Sequence, residues 1–299
     1  MPYFQAEDET ELYYYDWGTG DPVVLIHGWP LSSASWEYQA NYLADNDCRV
    51  IAYDRRGFGR SDWPSGGYDY DTLASDLNCL LEELDLDNVT LVGFSMGGGE
   101  VARYLATYGS VRIARAVLIS SVTPYLLKDE DNPDANPDGV DGSVFEEIVG
   151  NLEKDRPAFL EQFTTKFYGR SLINHAVSDQ FLKFSLAMAL EGSPRATIEL
   201  VWAWSGTDFR DDLKGITVPT LIVHGTADVT VPIAASARRA VELIPGATLI
   251  EYDGEPHGLT ASAAEQLNED LLVFIKGALV TVPEQDFITA GAANIGLAD

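Results

Sequence analysis

A chain of 299 residues that is 46% hydrophobic has the material for one large continuous core and does not require two domains. Its formal charge of −28, from 47 acidic against 19 basic residues, excludes the basic stripe that nucleic-acid binding needs. No run of about eighteen apolar residues is present, which argues against a membrane helix, and the acidic start, Met1 to Asp8, is unlike a secretory leader, so a cytoplasmic protein is expected.

The first half alternates strand and helix signals. Val23 to His27 is a short apolar run ended by Gly28 and reads as a buried strand. Val50 to Tyr53 is a second, closed by the polar turn Asp54-Arg55-Arg56-Gly57, whose arginine pair reads as turn structure more than as a substrate anchor. Leucines at 73, 77, 80, 81 and 84 form the stripe of an amphipathic helix over 72–84. Val89 to Phe94 returns to strand, Gly98 to Tyr108 to helix, and Ala116 to Ile119 to strand. Such alternation predicts an α/β fold with a mostly parallel central sheet and helices on both faces.

The pattern then breaks. Residues 128–142 are rich in carboxylates, proline and glycine and read as a solvated loop. From 143 to 205 only helical stretches occur, such as Phe145 to Lys154 and Phe181 to Leu190, predicting a helical cap inserted over the sheet. The alternation resumes with a strand over 220–224, a helix over 233–243, a strand over 248–252 and a last helix over 260–276. The expected division is a core of 1–122 and 206–276, a cap of 123–205, and a tail of 277–299 without clear periodicity.

Gly93-Phe94-Ser95-Met96-Gly97 fits the G-x-S-x-G nucleophile elbow, and it lies where that motif must lie, after an apolar strand and before a helix. A serine hydroxyl needs a base to take its proton. Of four histidines, His27 and His224 each end a strand just before a glycine, and His175 lies in the insertion. His257 follows the last strand, at the carboxyl edge of the sheet where the elbow also lies, and is the expected base. Asp228, just after the strand over 220–224, lies between serine and histidine in the required chain order and is the expected orienting acid; Asp253, nearer His257 in sequence, is the rival. The oxyanion requires two backbone donors. Met96, at the start of the helix, is expected to supply one and Trp29 the other, since Pro30 has no N–H. The Trp29 side chain is expected to wall the acyl pocket.

The segments His27-Gly28-Trp29-Pro30, Tyr53 to Ser61 and Gly93 to Glu100 resemble the cofactor-free bacterial haloperoxidases and the similar aryl esterases of the α/β-hydrolase superfamily. Phe167-Tyr168-Gly169, Thr207 to Arg210 and Asn268 to Leu272 carry the resemblance further, over about residues 10–276. It implies a triad of Ser95, His257 and Asp228, an oxyanion hole at Trp29 and Met96, hydrolysis of short-chain or aryl esters, and formation of peracids from carboxylic acids and hydrogen peroxide without haem or metal. Pro30, after the aromatic oxyanion residue, leans the resemblance toward perhydrolysis. The expected partners are therefore small molecules only, with no cofactor, no nucleic acid and no membrane; a homo-oligomer is left open.

Rival readings are an amidase or lactamase with the same triad and a non-catalytic binding protein on this fold; Ser95, in place of a carboxylate nucleophile, argues against a dehalogenase or epoxide hydrolase. Cys48 and Cys79 read as small hydrophobes, and no His or Cys cluster has zinc spacing. Phe163, Phe181, Trp202 and Trp204 are read equally as pocket walls or as packing residues. The acidity suits a salt-rich cytoplasm or an ordinary acidic protein.

Overall fold

The structure, a computed structural model, describes residues 2–128, 136–170 and 176–277; residues 129–135 of the Asp-rich loop, His175 and the tail after Gly277 lie outside the described residues. In chain order the elements begin with β1 (Tyr3–Gln5), β2 (Glu11–Gly18) and β3 (Asp21–Ile26), then α1 (Glu37–Ala44), β4 (Cys48–Tyr53) and α2 (Tyr70–Glu83). Next come β5 (Val89–Phe94), α3 (Met96–Tyr108) and β6 (Ile113–Ile119). After a two-residue pair, β7 (Leu127–Lys128) and β8 (Val140–Asp141), the insertion carries α4 (Gly142–Phe167), α5 (Asp179–Leu190) and α6 (Pro194–Gly206). The short α7 (Arg210–Lys214) leads back to β9 (Thr220–Gly225), α8 (Ala237–Leu243), β10 (Thr248–Tyr252), α9 (Leu259–Ser262) and α10 (Ala264–Ile275).

The eight-stranded sheet has the order β1-β2-β4-β3-β5-β6-β9-β10. It is parallel from β4 to β10, with β1 and β2 antiparallel at one edge. The chain passes from β3 outward to β4 and then returns to place β5 on the other side of β3. The loops after β3 and β5 therefore part at a topological switch point, where doubly wound sheets leave a crevice at their carboxyl edge.

Each central strand is buried on both faces. Val24 and Ile26 of β3 join a core with Leu73, Leu77, Leu80 and Leu81 of α2 and Val101 of α3, while Val23 and Leu25 pack with Leu43 of α1 and Leu267 and Leu271 of α10. This two-sided burial is why the parallel strands read as continuous apolar runs. Helix α2 starts where the Asp69 side chain accepts the Thr72 N–H at 3.0 Å. The strand β2 gave no signal in the sequence because its run Glu11-Leu12-Tyr13-Tyr14-Tyr15-Asp16 does not alternate, and only Leu12 is fully buried. Two helices differ from expectation: turns over 232–236 delay α8 to Ala237, and Ala263 divides the last helix into α9 and α10. Helix α4 is kinked at Asp155, two residues before Pro157, which lacks the N–H that a continuous helix would use. Among the described residues no helix is long and apolar enough to cross a membrane.

Arg56, buried at the Asp54-Arg55-Arg56-Gly57 turn, is an internal strut. Arg56 forms paired bonds to Asp76 at 2.6 Å each and reaches Asp8 at 2.8 Å. Several other ion pairs, such as Arg49–Asp16 and Arg238–Glu251, are half-exposed and contribute little singly. With 47 acidic residues, the excess charge repels itself across the surface. Raising sodium chloride from about 0.05 M to about 1 M shortens the Debye length from over 10 Å to roughly 3 Å, so the melting temperature is expected to rise. Scanning fluorimetry checks this; a flat or falling melting temperature would mean that screened ion pairs outweigh relieved repulsion.

Candidate active site

The turn from β5 into α3 places Ser95 at φ 55°, ψ −117°, a conformation that L-residues rarely adopt. Three hydrogen bonds hold it there. Its N–H donates to the Ile119 carbonyl of β6 at 2.8 Å, and its carbonyl accepts from Gly98 at 3.0 Å and Val122 at 3.3 Å. The flanking glycines are needed by close approach: a Cβ at Gly93 would strike the Gly97 carbonyl, and one at Gly97 would strike the Ile26 carbonyl of β3. Neighbouring strands thus over-determine a strained serine at the tip of the elbow.

His257 comes from the loop between β10 and α9. Its Nε2 lies 2.9 Å from Ser95 Oγ and its Nδ1 2.6 Å from Asp228 Oδ2. The ring sits between Phe94, 5.3 Å away by centroids, and the edge of Phe167, at 4.7 Å. Phe167 belongs to the insertion, and its carbonyl accepts the Gly258 N–H at 2.9 Å, so the insertion is tied directly to the histidine loop. Asp228 lies in the turn after β9, and its Oδ1 accepts the N–H groups of Thr230 (2.9 Å) and Val231 (2.8 Å). Burial alone would raise its carboxyl, but the neighbouring His257 and the hydrogen bonds of His257 and His224 outweigh that and hold it well below the usual carboxylate range. Asp253 is exposed and accepts from Thr226 Oγ1 at 3.2 Å instead of joining His257.

The other described histidines are structural in different ways. His27 Nδ1 donates to the Gly28 carbonyl at 2.9 Å, while Nε2 accepts the Arg55 N–H at 3.0 Å. Its burial, and then the charge of Arg55, push its basicity well below that of an ordinary histidine. Below it, Arg55 bridges the His27 carbonyl (2.8 Å) and Glu100 Oε2 of α3 (2.9 Å), with both side chains almost wholly buried. His224 lies 3.2 Å from Asp228 Oδ2. The sequence reading missed Arg55, Glu100 and His224 as supports of the site. The only signal was the spacing of His224, four residues before Asp228.

A narrow cavity adjoins Ser95, lined by Trp29, Met96, Val122, Phe163, Trp204, Thr230, Val231 and His257. The Trp29 ring packs on Phe163 at 5.1 Å and Trp204 at 5.8 Å, and its Nε1 donates to the Thr197 carbonyl at 3.0 Å. Among the described residues neither the Trp29 nor the Met96 main-chain N–H is bonded to a protein acceptor. Phe163 and Trp204 therefore wall the site, whereas Phe181 packs against Tyr38 and Tyr168, and Trp202 is exposed. An outer pocket of about 290 Å³ shares Phe163, Trp204 and Thr230 with this cavity. A larger pocket, between Tyr13, Tyr15 and Trp17 of β2 and Phe184 and Met188 of α5, includes none of the three hydrogen-bonded residues.

A family model described as the alpha/beta hydrolase fold matches residues 21–260. A non-haem chloroperoxidase from Streptomyces lividans is 44% identical, with 91% of this chain and 98% of that one covered. This chain belongs to the non-haem haloperoxidase group of the α/β-hydrolase family. A bromoperoxidase of known structure from Bacillus anthracis matches the haloperoxidase-group chain with a TM-score of 0.87 and 48% identity, covering 92% of this chain and 99% of that one. A bifunctional esterase/perhydrolase from Acinetobacter calcoaceticus is 39% identical over 92% of this chain and all of its own length. Like these relatives, the haloperoxidase-group chain is an α/β-hydrolase enzyme.

Proposed function

We propose that this enzyme hydrolyses short-chain or aryl carboxylic esters through an acyl-enzyme on Ser95, and that hydrogen peroxide can replace water as the acyl acceptor. The observation that carries the reading is the unbroken chain from Ser95 Oγ through His257 to Asp228, at 2.9 and 2.6 Å. His257 Nε2 takes the hydroxyl proton as Ser95 Oγ attacks the ester carbonyl, and Asp228 holds the ring and stabilises the imidazolium. The N–H groups of Trp29 and Met96 receive the oxyanion, the latter at the positive end of α3. The imidazolium then protonates the departing alkoxide or phenoxide. Water, deprotonated by His257, attacks the acyl-enzyme to release the acid; hydrogen peroxide by the same route releases a peracid, which oxidises halide in solution.

The close apolar lining by Val122, Phe163, Trp204 and Val231 favours a small acyl group with no charge. Residues 1–122 and 206–276 act in this reading as the catalytic core and 123–205 as the cap that closes the acyl pocket. The partners are a small ester, or a carboxylic acid with peroxide, in the cytoplasm. Turnover of p-nitrophenyl acetate, with a parallel peracid assay on acetate and hydrogen peroxide, tests the reading. Asp228→Asn is expected to lower kcat for the ester by about 10³- to 10⁴-fold, because the amide no longer fixes the His257 tautomer. A folded Asp228→Asn enzyme within tenfold of the parent would show that another group orients the base.

A further inference from the structure

We propose that His224 is a positioning residue for the catalytic acid: one Nε2–H, shared between the Val231 carbonyl and the Asp228 carboxylate, locks the acid to the cavity wall and moderates the negative charge it presents to His257. The proposal rests on the triad reading above. His224 ends β9 and is fully buried. Its Nε2 lies 2.9 Å from the Val231 carbonyl and 3.2 Å from Asp228 Oδ2. Both neighbours are acceptors, so Nε2 must carry the proton. Among the described residues Nδ1 is buried with no hydrogen-bond partner, which fits an unprotonated nitrogen and not a buried donor. The ring is therefore the neutral Nε2–H tautomer.

Three hydrogen bonds hold the Asp228 carboxylate, from the N–H groups of Thr230 and Val231 on Oδ1 and from His257 on Oδ2, and His224 Nε2, 3.2 Å from Oδ2, is the proposed fourth donor. The carboxylate then has no freedom left to rotate. Val231 is held twice, through its N–H by Asp228 and through its carbonyl by His224, and it also lines the catalytic cavity. The orientation of the acid and the shape of the acyl site are thus set by one turn. A donor on Oδ2 also withdraws charge from the carboxylate that stabilises the His257 imidazolium. The remaining charges nearby are engaged elsewhere. Glu251, opposite His224 in register on β10, is paired with Arg238 of α8 at 2.7 Å. Asp253 accepts from Thr226, and Glu255 from Ser262. On the β6 side the neighbouring residues, Ile119 and Ser120, are uncharged.

His224→Phe keeps a planar ring and deletes the donor, whereas His224→Gln restores an N–H near the same place. In His224→Phe, kcat for p-nitrophenyl acetate is expected to fall about tenfold with KM nearly unchanged. The acid limb of kcat/KM is expected to move up by roughly half a pH unit, because an undiluted Asp228 charge favours the imidazolium. His224→Gln should recover most of both changes. A purely structural role predicts lost kcat with the limb in place and no advantage for glutamine; either that result or a parent-like His224→Phe overturns the proposal. A measurement on the parent enzyme needs no variant to fold: the imidazole nitrogen resonances of His224 should show a protonated Nε2 and a bare Nδ1 near neutral pH, and a protonated Nδ1 overturns the proposal. An active Ser95→Ala would instead overturn the triad reading itself, so the two failures are distinguishable.

Discussion

Ser95→Ala is expected to fold as the parent does and to lose p-nitrophenyl acetate turnover by about 10⁴- to 10⁶-fold. The substitution removes one oxygen from a residue already almost buried and leaves the strained backbone to the same three hydrogen bonds, so the melting temperature should move by only a few degrees. What disappears is the atom 2.9 Å from His257 Nε2, and with it the covalent intermediate. Residual rate would come from the oxyanion donors and binding alone. Peracid formation should fall in step with ester cleavage, since both pass through the same acyl-enzyme. A mutant that keeps ester turnover would end the acyl-enzyme mechanism. One that loses ester turnover but still makes peracid would place the peroxide chemistry outside Ser95.

The second large effect is expected on stability. Glu100 and Arg55 form a fully buried pair beneath the oxyanion loop, with Arg55 Nε and Nη2 at 3.0 and 2.9 Å from the same carboxylate oxygen. Burial opposes the charged form of each: it pushes the Glu100 carboxyl up and lowers Arg55 to about 10. Glu100→Ala leaves the guanidinium buried without its carboxylate, which is expected to cost about 3–5 kcal/mol in urea unfolding and to lower the melting temperature by roughly 10 °C. Replacing both residues, as in Arg55→Met with Glu100→Leu, should recover part of that loss, because the stranded charge goes with the second change. A loss below about 1 kcal/mol in Glu100→Ala would mean that water reaches Arg55 in the folded state. Because Arg55 also holds the His27 carbonyl, activity should fall further than the unfolded fraction explains.

The central strands, the α2 stripe, the elbow at Ser95 and the histidine and acid loops were legible because each depends on local pattern. Buried parallel strands must be apolar on both faces, an amphipathic helix must repeat its leucines, and a sharp strand-to-helix turn must be flanked by glycine. The resemblance in long motifs then matched the family to which the chain belongs. Strands β1 and β2 were not legible, since half-exposed strands at the margin of the sheet need no alternation, β2 pairing with β4 and β1 only with β2. Residue order favoured Asp228 over Asp253, but it does not show the turn after β9, which aims one carboxylate at His257 and leaves the other with Thr226. The same holds for aromatics of the insertion, where Phe163 and Trp204 reach the cavity while Phe181 and Trp202 do not. By itself the sequence determined which side chains have the chemistry and which strand ends carry them. Only the tertiary structure decided which of them meet and that Arg55 and Glu100 support them, because contacts between residues 28 to 162 positions apart depend on how strands are ordered in the sheet, while His224 reaches Asp228, four residues on, only through the way the turn after β9 folds back.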